Sequence, residues 1–279
     1  MDFMELLKAV LFGIVEGVTE WLPVSSTGHL ILLDEFIKLD VSKEFMEMFN
    51  VVIQLGAILA VVLLFFRKLN PFALTKSKEE KKQTWDLWFK VIVAVLPSAI
   101  IGLALEDWMD KHLMNYIVVA IALVLYGVAF LFIEKKPLGN GKAITQVWDI
   151  DYRTAIAIGC FQCLSLIPGT SRSGSTILGA ILLGVSRSAG AEFSFFLAIP
   201  TMVGASALKL LKFLMDGVSM TATEGGVLAV GCIVSFAVSL LVIKGLMEYV
   251  RKHSFSVFGW YRIGLGILVL GYFAATALI

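Results

Sequence analysis

The sequence predicts an all-α polytopic membrane protein, with six transmembrane helices and two re-entrant helical hairpins arranged as inverted-topology repeats. Hydrophobic residues make up 58% and charged residues 16% of the 279 residues, whereas soluble domains average roughly 45–50% and about 25%. Two apolar stretches are interrupted by proline, glycine and serine in similar patterns. This composition excludes a soluble globular protein, and a net charge of only +1 gives no indication of nucleic-acid binding.

Six apolar segments are long enough, or nearly so, to cross a hydrocarbon core of about 30 Å, which requires roughly 20 residues in a helix. They are 49–66, 91–105, 116–133, 189–211, 225–246 and 257–278. Aromatic residues lie at the ends of several of them, for example Trp85 and Trp88 before 91–105, and Trp260 and Tyr261 at the start of 257–278. Such flanking aromatic residues are typical of membrane interfaces.

The two interrupted stretches, 6–33 and 154–183, predict the hairpins. The first is broken at Pro23 and the second at Pro168, each time by a run of small polar residues. Each half is too short to cross a bilayer. Proline and glycine also leave backbone groups unpaired, which is tolerated at membrane depth only inside protein or beside a watery cavity. We therefore expect two hairpins that dip into the membrane and return.

The distribution of lysine and arginine predicts the orientation. Basic residues concentrate in the connections 67–90, 134–153 and 247–256, whereas 34–48, 106–115 and 212–224 are acidic or mixed. The positive-inside rule makes the first group cytoplasmic. The first hairpin then enters from outside and the second from the cytoplasm.

The two hairpins also resemble each other in sequence. With a one-residue gap, Glu16 aligns with Gln162 and Pro23 with Pro168, and three spans follow each hairpin. We expect a single membrane domain built from two inverted repeats, 1–133 and 154–279, joined by a cytoplasmic linker. Inverted repeats with broken helices are an architecture found in transporters.

The first hairpin contains a pair of carboxylates, Glu16 and Glu20, four residues apart and therefore on one helix face. Two carboxylates at membrane depth need a cation, a shared proton or an arginine between them. A Mg²⁺ or Ca²⁺ site, a proton-holding base and a pair with Arg172 are all compatible with the spacing. A solvated helix end is the alternative without a function.

The turn that follows contains Ser25, Ser26, Thr27 and His29. Ser25 or Ser26 is a favourable helix N-cap, and a helix N-terminus suits phosphate. Ser26 and His29 are three residues apart, so the histidine could activate Ser26 as a nucleophile, with Glu20 orienting the histidine. Capping serines beside a buried histidine would explain the same residues without catalysis.

The second break, Pro168 to Thr176, contains five hydroxyl residues, two glycines and one arginine. Arginine recognises phosphate through two parallel hydrogen bonds, and glycine lets the backbone approach closely. We expect a phosphate-binding site at the two turns. Its predicted members are Arg172, Ser25, Thr27, Gly169, Ser171, Ser173 and Thr176.

These motifs identify a resemblance that covers essentially the whole chain. EGVTE with LPVSSTGH in the first half, and PGTSRSGST in the second, resemble the integral-membrane undecaprenyl-diphosphate phosphatases linked to bacitracin resistance. The resemblance implies hydrolysis of undecaprenyl diphosphate to undecaprenyl phosphate and inorganic phosphate, which recycles the lipid carrier of peptidoglycan synthesis. In that family the acidic pair corresponds to Glu16 and Glu20, and the catalytic histidine to His29.

The resemblance further implies a bacterial cytoplasmic membrane location, a site reached from the outer face, and dependence on a divalent cation. Glu16 and Glu20 are then the expected metal ligands, and the bilayer and an isoprenoid diphosphate lipid the expected partners. Direct attack by water, with His29 as base, is an alternative to attack by Ser26. A carrier that moves isoprenoid phosphate across the membrane is the alternative function, since it needs a phosphate site but no nucleophile.

Overall fold

The computed structural model describes residues 2–135 and 143–276, and within them the chain is almost entirely α-helical. The helices are α1 (Phe3–Thr19), α2 (Ser26–Phe36), α3 (Lys43–Val52), α4 (Gln54–Leu64), α5 (Phe66–Leu69), α6 (Lys78–His112), α7 (Tyr116–Glu134), α8 (Tyr152–Cys163), α9 (Arg172–Leu182), α10 (Arg187–Met215), α11 (Ala222–Lys252) and α12 (Ser256–Thr276). Single 3₁₀ turns occur at Val147–Asp149 and Leu164–Leu166.

Six helical segments of the described chain are long and apolar enough to cross a membrane, and each overlaps one predicted span. They are Lys43–Leu64, Lys78–Leu105, Tyr116–Glu134, Arg187–Met215, Ala222–Lys252 and Ser256–Ala275. The predicted number and order of spans are therefore confirmed. Residues 136–142 of the predicted linker and the last two residues of the predicted sixth span lie outside the described residues.

Several helices begin earlier than their apolar runs, because polar caps add turns to them. Ser77 and Glu80 form a reciprocal capping box at the start of α6. Thr221 and Glu224 do the same for α11. Such caps satisfy the free N–H groups of the first turn, so the helix extends beyond the hydrophobic segment that the sequence pattern detects.

The two interrupted stretches form helix pairs, α1 with α2 and α8 with α9. The second helix of each pair has 11 residues, which gives a length of roughly 16 Å at 1.5 Å per residue. That is about half the hydrocarbon thickness. The lengths fit hairpins that turn back inside the membrane.

Each hairpin turns at a serine with positive φ. Ser25 has a φ of 75° and Ser171 a φ of 73°, and they are the non-glycine residues of the described chain in that region. Each hydroxyl oxygen accepts a hydrogen bond from the backbone N–H three residues later, Gly28 for Ser25 and Gly174 for Ser171. The two N-caps therefore begin α2 and α9 in the same way.

The first helix of each hairpin packs against a long helix of the other half, α1 on α11 and α8 on α6. Small residues allow this close approach: a Cβ on Gly159 of α8 would lie 2.0 Å from the Ala94 carbonyl oxygen of α6. Helices α7 and α12 pack on each other. This exchange of partners supports the inverted relation of the two repeats, which stays a prediction.

Candidate active site

A cavity of about 180 Å³ lies where the two hairpin turns meet. Seven of the predicted site residues line it: Glu20, Ser25, Ser26, Thr27, Gly169, Ser171 and Arg172. Gln54 of α4, Ser165 and Thr201 of α10 add further polar groups to its wall. The structure thus brings the two serine-rich turns, 145 residues apart in sequence, to one cavity.

At the centre of this cavity, Glu20 connects Ser26 with Arg172. The Ser26 hydroxyl donates to Glu20 Oε2 at 2.6 Å, and Arg172 Nη2 donates to Glu20 Oε1 at 2.9 Å. The Glu20 residue is only 6% exposed, so this ion pair is shielded from solvent. A carboxylate in direct contact with a serine hydroxyl can accept its proton.

Arg172 is held in place with one of its donors unpaired. Its Nη1 donates to the Ser194 carbonyl oxygen at 2.8 Å, and its guanidinium lies 5.6 Å from the centre of the Trp21 ring. Its Nε is buried and has no hydrogen-bond partner. A buried donor without a partner is unfavourable unless a ligand completes it, and an anionic phosphate oxygen is a suitable ligand.

Two helix N-termini also reach the cavity. Ser26 is the first residue of α2 and Arg172 the first residue of α9, and both line the cavity wall. The free N–H groups and the positive dipole end of a helix attract anions. Together with Arg172 they make the cavity suited to a phosphate group.

The predicted chain of Glu20, His29 and Ser26 is not formed in the structure. His29 Nδ1 lies 2.7 Å from the Ser25 carbonyl oxygen, which can only accept, so this nitrogen donates. The other ring nitrogen, Nε2, lies 2.6 Å from the Tyr261 hydroxyl of α12. The His29 ring thus contacts its own preceding turn and α12, whereas the Ser26 hydroxyl contacts Glu20.

Two of the predicted phosphate ligands are buried behind the cavity rather than lining it. The Ser173 hydroxyl lies within hydrogen-bond distance of two carbonyl oxygens of the first hairpin, Glu20 at 3.1 Å and Leu22 at 3.2 Å. Thr176 pairs with the Ser194 hydroxyl at 2.6 Å. Both lie on the inner face of α9, so they connect this helix to its neighbours instead of facing the ligand.

Glu16 is fully buried, and neither of its carboxylate oxygens has a hydrogen-bond partner. It lies one helical turn before Glu20, whose two oxygens are already bonded. The described residues contain no group of three or more histidine, cysteine or acidic side chains that could hold a metal. A buried, unpaired carboxylate requires a proton or a cation, and Mg²⁺ commonly binds one or two carboxylates together with substrate phosphates. Glu16, whose two oxygens are unpaired, is the residue that fits this role, and it is not among the residues that line the cavity.

Arg262 of α12 is a site residue that the sequence analysis missed. It is fully buried and donates to the carbonyl oxygens of Pro23 at 3.0 Å, Gly169 at 2.8 Å and Thr170 at 2.9 Å. One guanidinium therefore joins the turns of both hairpins. The only indication in the sequence was an arginine within an apolar span. Because Trp260 and Tyr261 precede it, that arginine resembled a residue at the membrane interface.

Comparison with known proteins adds to this geometry. Residues 9–268 match the family model described as bacitracin resistance protein BacA. The chain belongs to the BacA family. The match covers both hairpin turns and every residue that lines the cavity described above.

Relatives of this BacA-family chain extend over nearly its whole length. A protein named undecaprenyl-diphosphatase from Limosilactobacillus fermentum is 60% identical over 274 residues, which cover 98% of this chain and 99% of the relative. The protein of the same name from Enterococcus faecalis is 58% identical over 272 residues, covering 98% and 99%. A third, from Lactiplantibacillus plantarum, is 59% identical over 270 residues, covering 97% and 98%.

Proposed function

We propose that this protein hydrolyses undecaprenyl diphosphate to undecaprenyl phosphate and inorganic phosphate. The contact of the Ser26 hydroxyl with Glu20, beside Arg172, is the observation that carries the proposal. The name of the relatives, undecaprenyl-diphosphatase, supports the substrate. This activity recycles the lipid carrier of peptidoglycan synthesis and confers resistance to bacitracin.

Binding of the diphosphate uses charge and free donors. Arg172 supplies a positive charge and the unpaired Nε donor. The first N–H groups of α2 and α9 supply further donors. Phosphoryl transfer requires chiefly this kind of positioning and charge stabilisation, because the transferred group carries most of the developing charge on its oxygens.

In the first chemical step, Ser26 Oγ attacks the terminal phosphorus and its proton passes to Glu20 Oε2. The bond between that phosphorus and the bridging oxygen breaks, and undecaprenyl phosphate leaves with the electron pair. In the second step water attacks the phosphoserine, Glu20 returns its proton to Ser26, and inorganic phosphate is released with both protons of the water. Direct attack by water on the substrate would omit the phosphoserine.

Glu16, with Glu20, would hold a divalent cation beside the diphosphate. Bound there, Mg²⁺ or Ca²⁺ would supply positive charge that neutralises the phosphate oxygens during transfer. Glu16 has both carboxylate oxygens available for this role. Its burial also means that it needs such a charge more than an exposed carboxylate would.

The protein is a multi-pass membrane protein, and we place it in the bacterial cytoplasmic membrane with its cavity open to the extracytoplasmic side. The basic connections that precede α6 and follow α11 support the orientation. The lipid tail would stay in the bilayer while the headgroup enters the polar cavity.

Release of phosphate from undecaprenyl diphosphate by purified protein in detergent tests the proposal. The Ser26→Ala and Arg172→Ala variants should each lose about 10²-fold or more, because each removes an oriented transition-state group. Ser254→Ala and Arg153→Ala, which change the same residue types far from the cavity, serve as controls. Full activity of Ser26→Ala would remove the serine from the mechanism. Folded wild-type protein that binds the lipid without releasing phosphate would favour the carrier.

A further inference from the structure

A second, apolar cavity of about 300 Å³ lies directly beside the phosphate cavity, between α6, α8 and α10. Small residues form much of its wall, and leucines form its edges. The small ones include Ala99 and Gly102 of α6 and Gly204 of α10, and the leucines are Leu103, Leu166 and Leu208. Five polar side chains also line it: Ser98, Gln162, Ser165, Thr201 and Lys209. A mainly apolar wall with a few polar groups is typical of a site that binds an apolar ligand.

The two cavities adjoin each other. Ser165, Thr201 and Ala205 line both of them, so the polar wall passes directly into the apolar one. An amphipathic ligand with a charged head and an apolar tail would fit a polar cavity that lies beside an apolar one. The head would lie at Arg172 and the tail against α6 and α10.

The apolar cavity lies at the exposed surface of α6 and α10, two of the helices that are long and apolar enough to cross a membrane. Leu103 is 62% exposed and Leu208 is 50% exposed at its two edges. A Cβ placed on Gly204 would meet no atom within 4 Å. The cavity is therefore a groove between α6 and α10 that is open sideways, and a chain lying in it could continue into the bilayer without threading through the protein.

We infer that this groove holds the segment of the isoprenoid tail that adjoins the diphosphate. The inference rests on the proposed function and assigns the tail of the same substrate. Its volume is at the lower end of the roughly 300–1,000 Å³ typical of small-molecule sites. A long polyisoprenoid exceeds that volume, so the groove holds only the first part of the tail and the remainder stays in lipid.

The groove also has a direction. It extends from Thr201 towards Met109 near the end of α6 and Leu208 near the end of α10. These helix ends are the ones that the distribution of lysine and arginine assigns to the outside. The tail of the bound substrate then joins the outer half of the bilayer.

A bulky residue placed in the groove tests this inference. A Cβ at position 204 would meet no atom within 4 Å, and glycine is a poor helix former, so we expect Gly204→Phe to fold. Gly271→Phe is the matched control, since Gly271 of α12 is another helical glycine with open space around it. The measurements are the KM for undecaprenyl diphosphate and the inhibition constant of inorganic diphosphate, which has the head but no tail.

We expect Gly204→Phe to raise the KM for undecaprenyl diphosphate, divided by the inhibition constant of inorganic diphosphate, by about tenfold or more. The reason is that the apolar contact of the tail is lost while the head site is intact. Gly271→Phe should leave the ratio unchanged. An unchanged ratio in Gly204→Phe, or an equal rise of both constants, would overturn the inference.

A photoreactive isoprenyl diphosphate provides a measurement that does not depend on hydrolysis. Mass spectrometry of the crosslinked wild-type protein should locate the label on α6 and α10. Label confined to other helices would overturn the groove assignment. If wild-type protein carries the label on α6 and α10 but releases no phosphate, the proposed function fails while the tail site stands.

Discussion

Ser25 and Ser171 have the same left-handed backbone conformation at the same position of the two hairpins, where each caps the short helix that follows. A non-glycine residue in such a conformation costs on the order of 1–3 kcal/mol. Both serines line the phosphate cavity. The strain therefore lies where the backbone must present the free N–H groups of α2 and α9 to the ligand.

Substitution of Ser25 separates this strain from the capping bond. Ser25→Ala keeps the strain and loses the cap, which costs about 1 kcal/mol. Ser25→Gly relieves the strain and loses only a few tenths of a kcal/mol as a cap. We expect the alanine variant to unfold at a lower temperature than the wild type and the glycine variant to unfold at the same or a higher temperature, measured by thermal unfolding in detergent.

Ser186 provides the control for that comparison, because it caps α10 with an ordinary φ of −62°. There glycine relieves no strain, so Ser186→Gly should not exceed the wild type in stability. If Ser25→Gly is less stable than Ser25→Ala, the positive φ of Ser25 is not a source of strain.

Removing the proton acceptor of Ser26 should abolish most of the activity. Glu20→Gln keeps the shape of the side chain but can no longer accept the serine proton, and general-base catalysis contributes about 10²–10⁴-fold. Phosphate release should fall by that order. Glu35→Gln, an exposed change on α2, is the control. Unimpaired release by Glu20→Gln would require another base for Ser26.

His29 should act as a positioning residue, since its ring nitrogens bond Ser25 and Tyr261 rather than Ser26. We expect His29→Gln to keep a measurable rate and the wild-type shape of the pH profile, with a KM raised by the displaced turn. Tyr261→Phe should show a smaller effect of the same kind. Loss of the acidic limb of the pH profile in His29→Gln would instead identify the histidine as the catalytic base.

Removal of divalent cations should reduce phosphate release, and the dependence should involve Glu16. After chelation, activity is titrated with Mg²⁺ or Ca²⁺ in the wild type and in Glu16→Gln. The variant should need about tenfold more cation for half-maximal activity, because it loses a charged ligand. Glu44→Gln, at the start of α3, should titrate like the wild type. Activity that is insensitive to chelation would refute the cation site.

Part of the site could be predicted from charged side chains that lie within apolar segments of the sequence. Glu20 and Arg172 stand out because carboxylate and guanidinium groups are costly in a bilayer and need partners. The orientation of a hydroxyl is less predictable: Ser173 and Thr176 face carbonyl and hydroxyl groups inside the protein, and this depends on how α9 is rotated about its axis. Spacing alone does not determine that rotation.

The number of spans was predictable for a different reason, since long apolar runs reflect the thickness of the bilayer directly. Long-range contacts were not. Arg262 is far from both turns in sequence, and only the packing of α12 on α7 brings its guanidinium to Pro23 and Gly169. A local pattern contains no information about such a contact.

The position of Arg262 has a consequence for biosynthesis. The two turns belong to the first and second halves of the chain, but the Arg262 guanidinium that joins their carbonyl groups belongs to the sixth span. During translation both hairpins are made before α12 leaves the ribosome, so the phosphate cavity reaches its final shape only after the last helix has been inserted. Partly synthesised chains would then be unable to bind the lipid, and catalysis would begin only in the completed protein.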